Sequence, residues 1–338
     1  ILCINFSCGQ GPENSLNEPK IILTPAPSQN VRINGAKIFG VRPGSPFLFK
    51  IPATGKKPMK YEVLNIPGGL ICNKETGMIT GTINMKGEYL TTFRVTNELG
   101  SAEREFKIVC GETLALTPHM GWNSWYVWEN HVTDRIMRDA ADAMVSSGMI
   151  DHGYMYVNID DCWSVKPGST DSTLTGEPRD INGMINPNGR FPDMKALTDY
   201  IHSRGLKAGI YTSPGELTCG GYVSAYGYEE KDVNKFVEWG YDFLKYDWCS
   251  YSKIGKTDLL SDLQRPYILI SEILKKHNRD IILNLCQYGM GDVWKWGKQV
   301  GGQSWRTAGD LGGSFEGIGK ALFRDGFDVY STDSLHLH

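Results

Sequence analysis

The sequence predicts an α/β fold, a parallel sheet wound with helices, preceded by a small all-β sandwich. Three observations carry this reading. Between Lys20 and about Cys110 the chain runs in short alternating apolar and polar stretches broken by turn dipeptides. After Leu116, strand-like runs alternate with amphipathic helical ones, which is the rhythm of consecutive βα units and so of a parallel sheet. Two acidic residues, Asp247 in YDFLKYDWC and Asp310 in SWRTAGD, each close a strand-like run and precede a polar loop bearing Gly or Ser. In a βα chain this puts both carboxylates at C-terminal strand ends on one face of the sheet, where barrels and open α/β sheets carry their chemistry.

Taken in order, residues 1–19 form a polar, Pro/Gly-containing linker behind the remnant of an export signal. ILCINFSC has the character of such a signal's tail, and Cys8, after a small residue, stands where a bacterial lipoprotein carries its lipid-modified cysteine. An ordinary apolar N-terminus is the alternative. The expected location is therefore outside the cytoplasm: periplasmic, anchored at the cell surface, or secreted. Residues 20–111 contain FLFKI, KYEVLNI, GMITGTI, EYLTTFRVTN and REFKIV, separated by Asn-Gly, Pro-Gly and Lys-Gly turns. That pattern predicts an immunoglobulin-like β-sandwich.

Residues 112–338 supply six strand-like runs: HMGWNSW, YMYVNIDD, LKAGIYTS, YDFLKYDWC, IILNLCQY and SWRTAGD. Helices are expected from Thr133 to Ser147, Pro192 to Arg204, Glu229 to Trp239, Ser261 to His277, Asp292 to Val300 and Ser314 to Arg324. In the first, Ile136, Ala140, Ala143 and Met144 make one apolar stripe. The aromatic-rich strands point to burial on both faces. Six βα units fall short of the eight that close a barrel, so the pattern fits a six-stranded open sheet or a barrel cut short.

Composition narrows the function. Lys and Arg number 35 against 38 Asp and Glu, with no basic run, so nothing points to nucleic acid. No run of 18 apolar residues exists to form a transmembrane helix. The 8 cysteines lack the CxxC spacing of a zinc site, and His336 and His338 at the chain end are poor metal ligands, so no metal or other cofactor is expected. Aromatic residues and 39 glycines suit a sugar-binding cleft, and suit an aromatic core equally well. Two carboxylates converging on one pocket are the minimum apparatus for cleaving a glycosidic bond. Structural carboxylates paired to Lys245 and Arg306 are the other reading, and on spacing alone the two are evenly matched.

Five separated motifs, MGWNSW, YVNIDDCW, GIYTSPGELTC, FLKYDWC and WRTAGD, resemble in order and spacing glycoside hydrolase family 27, the α-galactosidases and α-N-acetylgalactosaminidases. The resemblance runs from about Thr117 to Asp310. It implies a (β/α)8 TIM barrel, here incomplete and stopping before strands 7 and 8, where relatives carry a further pocket aspartate. The stretch PGGLICNKETGMITGTINMKGEYLTTFRVTNELG resembles immunoglobulin-like modules that accompany bacterial polysaccharide-degrading enzymes, and a spacer or packing role is expected of it.

The resemblance implies a retaining exo-α-galactosidase that removes terminal α-galactose from oligo- or polysaccharides. Asp247 would be the nucleophile and Asp310 the acid/base, their carboxyl groups about 5–5.5 Å apart. Lys245 is expected to keep Asp247 ionised, and a less polar neighbourhood to hold a proton on Asp310. Asp160 and Asp161 would accept from the 4- and 6-hydroxyls, Lys245 would reach the 3- and 4-hydroxyls, and Trp125 would stack on the sugar face. Trp122 is expected in the core. Cys219 and Cys249 would form a disulfide beside the pocket, with Tyr211 facing the sugar, while Cys162 and Cys286 stay free. Gln287, in the C2-recognition position, and Arg306 would contact the 2-hydroxyl. Gln287 departs from the glutamate common there, and its bulk favours galactose over N-acetylgalactosamine. Retention of both Asp160 and Asp161 argues mildly against β-L-arabinopyranosidase activity. A truncated, non-catalytic carbohydrate-binding fragment is the reading from another class.

Overall fold

The computed structural model describes residues 28–310 and 314–322. The expected export segment with Cys8, and the two terminal histidines, lie outside the described residues.

The N-terminal module contains nine strands: β1 (Arg32–Ile33), β2 (Ile38–Val41), β3 (Pro46–Lys50), β4 (Ala53–Thr54), β5 (Lys60–Leu64), β6 (Leu70–Cys72), β7 (Met78–Thr82), β8 (Gly87–Asn97) and β9 (Gly100–Cys110). One sheet runs β2-β9-β8-β5, the other β3-β7-β6, and β1 pairs with β4. Strand alternation does the sorting: Thr91, Phe93 and Val95 of β8 point inward with Phe106, Ile108 and Cys110 of β9. Phe93 and Phe106 stack at 4.3 Å, and Phe49 from the other sheet meets Phe106 at 4.7 Å. Each such ring contributes roughly 2–3 kcal/mol by leaving water. The sandwich anticipated from the sequence is present.

Six parallel strands follow in sequential order: β10 (Gly121–Asn123), β11 (Tyr156–Asn158), β12 (Lys207–Thr212), β13 (Phe243–Asp247), β14 (Ile282–Cys286) and β15 (Ser304–Trp305). The helices are a single turn, α1 (Trp125–Trp128), then α2 (Asp134–Ser146), α3 (Met194–Ser203), α4 (Glu229–Trp239), α5 (Leu260–Lys275) and α6 (Phe315–Leu322). Side-chain caps start two of them: Thr133 accepts from the Ile136 amide and Asp193 from the Ala196 amide. Gly240 ends α4 at φ 96°, a left-handed value that glycine adopts without Cβ strain.

Two expectations fail here. The buried stripe of α2 is Met137, Ala141 and Met144, one position on from the predicted one at its first two residues, and Ala143 is exposed. The helix expected from Asp292 to Val300 is only a 3-10 turn at Val293–Lys295. Gly291 and Asp292 both hold positive φ, and the Trp296 indole bonds back to the Gly291 carbonyl, so the segment folds as consecutive turns.

Each central strand is buried on both faces but divides its residues by parity. Leu244 and Tyr246 of β13 join the cluster under the helices, as do Ala208 and Ile210 of β12 and Leu283 and Leu285 of β14. On the other face β13 presents Phe243, Lys245 and Asp247 in succession. Phe243 belongs to the module's core, together with Met155, Tyr156 and Ile282 from the starts of neighbouring strands. The module thus seals the N-terminal ends of the parallel strands.

Polar anchors complete that junction. Arg42 ion-pairs with Asp280 at 2.6 Å and donates to the carbonyls of Lys275, His277 and Arg279. Ser45 and the Arg42 amide bond to the same Asp280 carboxylate, and Asn34 donates to the Asp151 carbonyl. Removing one member of a largely buried charge pair strands the other. We therefore expect Arg42→Ala to cost about 2–3 kcal/mol of unfolding free energy, measured by urea denaturation. An unchanged midpoint would show that the module and sheet are not coupled through this residue.

Candidate active site

The strand ends opposite the module open into a pocket of about 420 Å³. The face of β13 that begins at Phe243 ends there with Lys245 and Asp247. The Lys245 ammonium lies 2.7 Å from Asp160 Oδ2 and 3.9 Å from Asp247 Oδ2. Burial by itself lowers its pKa, but the negative charges beside it, Asp160 foremost, more than offset this and hold that pKa above its ordinary value. Its charge also faces the Tyr211 ring, 5.0 Å from the centroid.

Asp160 and Asp161 follow β11 and are almost fully buried. Asp160 Oδ2 also accepts from Asn123 Nδ2 at 2.8 Å, and its Oδ1 from the Asp161 amide at 2.9 Å. Asp161 accepts from the amides of Cys162 at 2.6 Å and Gly220 at 2.7 Å. Even so, desolvation dominates over these hydrogen bonds and pushes the Asp161 carboxyl up to about 6.

Asp247 is 5% exposed. Its Oδ1 accepts from the Trp248 amide at 2.7 Å and from the Tyr288 hydroxyl at 2.9 Å. The structure joins Cys219 to Cys249, and the Tyr211 hydroxyl sits 3.2 Å from Cys249 Sγ. Gly215 lets the two loops that carry these cysteines approach, since a Cβ there would meet the Cys249 carbonyl at 2.3 Å. Cys162 and Cys286 are free and buried.

The pocket brings together Trp125, Asp160, Asp161, Tyr211, Cys219 and Lys245 with Asp247, Arg306 and Asp310. Trp122 packs partly buried against the core under the helices, as expected of it. Asp310 departs from the surroundings expected of a proton donor. It stands on the loop beyond the short β15, 81% exposed, and ion-pairs with Arg306 at 2.8 Å. Gln287 is not brought to the pocket at all. It is fully buried, and its side-chain oxygen accepts from the Met290 amide. Tyr288, the next residue, lines the wall instead. Strand parity accounts for the exchange: Gln287 falls on the helix side with Leu283 and Leu285, and Tyr288 continues the pocket side of Asn284 and Cys286. Asn123 and Tyr126 also line the pocket and were not anticipated. Their position inside and just after the GWNSW motif was the available signal.

A parallel sheet wound with helices, with buried carboxylates and a lysine gathered at its C-terminal strand ends, belongs to the α/β-barrel class of proteins. Within that class the chain belongs to the alpha galactosidase A family, whose profile matches residues 117–319. An Ig-domain profile matches residues 31–111. The chain is 41% identical over 202 residues to the Alpha-galactosidase A of Cellvibrio japonicus, covering 59% of this chain and 45% of that one. A solved Bacteroides fragilis protein assigned as an alpha-galactosidase superposes with a TM-score of 0.76 at 38% identity, covering 86% of this chain and 59% of that one. An α-galactosidase from Saccharomyces cerevisiae, solved with raffinose, gives a TM-score of 0.54 at 30% identity, covering 67% of this chain and 47% of that one. The chain spans about half the length of the curated relatives it matches.

The raised Asp161 carboxyl makes a prediction about stability. In the folded protein this group holds its proton up to about pH 6, whereas in the unfolded chain it releases it near 3.8. Between those values the unfolded state binds fewer protons, so the contribution of Asp161 to stability declines as pH rises through the window. Asp161→Asn, which cannot ionise, should lack this decline. The unfolding free energy of wild type relative to the variant is expected to fall between pH 4 and pH 7, by about 2–3 kcal/mol at most. A constant difference across that range would sink the assignment.

Proposed function

We propose that this chain carries the catalytic pocket of a retaining exo-α-galactosidase acting on terminal α-galactosyl groups of oligo- or polysaccharides. The observation that carries the reading is the presence of Asp247 and Asp310 in one pocket, with Lys245 beside the first and Arg306 beside the second. Asp247, at the buried floor, attacks the anomeric carbon as the bond to the leaving oxygen breaks. Asp310, at the mouth, gives that oxygen its proton. In the second step Asp310 takes a proton from water, and the water oxygen displaces Asp247. A rim position suits this role, because the leaving group departs and the attacking water enters beside it, and that water returns to Asp310 the proton given up in the first step.

Recognition of galactose rests on the floor. Asp160 and Asp161 offer buried acceptor oxygens, which favour a sugar whose hydroxyls reach them and disfavour an epimer that leaves them unpaired. Trp125 supplies an aromatic wall for the apolar sugar face. The raffinose bound in the yeast structure is consistent with a substrate of this class.

Release of p-nitrophenol from p-nitrophenyl α-D-galactopyranoside tests the proposal. Asp247→Ala should abolish turnover, by roughly 10⁴-fold or more, because it removes the nucleophile. Asp310→Ala should slow substrates with poor leaving groups far more than this activated one. Cleavage of the N-acetylgalactosaminide or the β-L-arabinopyranoside in preference to the galactoside would overturn the substrate assignment. Activity that survives in Asp247→Ala would overturn the mechanism.

A further inference from the structure

We infer that the Tyr288 hydroxyl is a positioning group for Asp247, making Oδ1 the tethered oxygen and leaving Oδ2 to form the bond to the sugar. The inference rests on the catalytic role proposed above for Asp247.

Three observations converge on Tyr288. The first is the asymmetry of the carboxylate. Oδ1 accepts two hydrogen bonds, from the Trp248 amide at 2.7 Å and from Tyr288 at 2.9 Å. Among the described residues, the ion pair of Oδ2 is with the Lys245 ammonium, at the longer distance of 3.9 Å. A carboxylate oxygen with both lone pairs engaged is a poor nucleophile, and the free one keeps its electron pair for C1. As the C1–Oδ2 bond forms, the leaving oxygen departs with the glycosidic electron pair and takes the proton from Asp310.

The second observation concerns where the hydroxyl proton goes. The Tyr288 oxygen lies 3.6 Å from Cys219 Sγ and 3.7 Å from Cys249 Sγ. Those sulfurs are joined in a disulfide, so they carry no proton to donate and accept only weakly. Among the described residues the Asp247 carboxylate is the strong acceptor in reach of this hydroxyl, which makes Tyr288 the donor. The same two groups raise the phenol above its ordinary value: burial first, then the Asp247 charge and the hydrogen bond to it.

The third is the cost at which the side chain is held there. Tyr288 occupies the left-handed backbone region at φ 63°, a conformation unfavourable for a bulky residue by roughly 1 kcal/mol or more. The Arg306 guanidinium lies over its ring at 5.0 Å and closes it in from the other side. A ring needed only for filling could sit there without a hydroxyl aimed at the nucleophile.

Two measurements test this. In the first, Tyr288→Phe keeps the ring and removes the hydroxyl. The expected result is a fall in kcat of about 10-fold with KM within about 2-fold, and an unchanged melting temperature. An unchanged kcat in an active protein overturns the inference. The second needs no turnover: the Tyr288 ring Cζ resonance of carbon-13-labelled protein is followed to alkaline pH, and compared with Asp247→Asn. Wild-type Tyr288 is expected to keep its proton past the range near pH 10 where exposed tyrosines ionise. Asp247→Asn should bring its ionisation down by a pH unit or more, because the carboxylate charge that opposes phenolate is gone. Identical titrations in the two proteins overturn the inference, whatever the activity. Coupled titration in a protein that cleaves no galactoside supports the Tyr288–Asp247 link and overturns the proposed function instead.

Discussion

Three carboxylates, Asp160, Asp161 and Asp247, sit nearly out of water within one pocket, and the arrangement depends on the Lys245 ammonium placed between two of them. Buried like charges would otherwise repel and resist ionisation. The lysine can do this because it shares a strand face with Asp247, two residues away, and because parallel pairing brings Asn284 of β14 level with it. Backbone amides of residues 161, 162, 220 and 248 also donate to these carboxylates. Burial disfavours the ionised form of Asp161, which among the described residues forms no ion pair. The pocket floor is therefore one electrostatic unit, net negative, in which Lys245 offsets part of the carboxylate charge.

That unit needs a stiff support, and the support is visible along the same strand faces. From bottom to top, β13 passes from a residue in the module's aromatic core to a lysine and then to the carboxylate of the pocket. Asp242, just before β13, carries a second buried charge cluster. It pairs with Arg279 at 2.8 Å and contacts His202 at 2.7 Å. The protein thus fixes both ends of its central strand electrostatically, while Leu244 and Tyr246 fix the outer face by burial.

Much of this was legible in the residues. The six strands were found because each is a short aromatic or β-branched run bounded by turn residues, and both-sided burial keeps such runs continuous. The two motifs ending at Asp160–Asp161 and at Asp247 marked strand ends correctly for the same reason. What failed depended on backbone direction, which no periodicity encodes. Gly291 and Asp292 take positive φ, and a segment with helical spacing becomes a chain of turns. Gln287 is the exception, because strand parity carried past Cys286 puts it on the helix side with Leu283 and Leu285 and gives the pocket side to Tyr288. The surroundings of Asp310 could not be read either, because they follow from where a loop stands relative to water. On α2, neighbouring alanines and methionines offered two nearly equivalent stripes, and packing chose Met137, Ala141 and Met144.

The junction between module and sheet has a practical corollary. The module covers the N-terminal ends of the strands, and the pocket opens at their C-terminal ends. Strands of five or six residues separate the two by about 15–20 Å of packed protein. A resin, surface or fused carrier attached through the outer sheet of the module would therefore leave the mouth pointing away from the support, open to polymers too large to enter a crowded matrix.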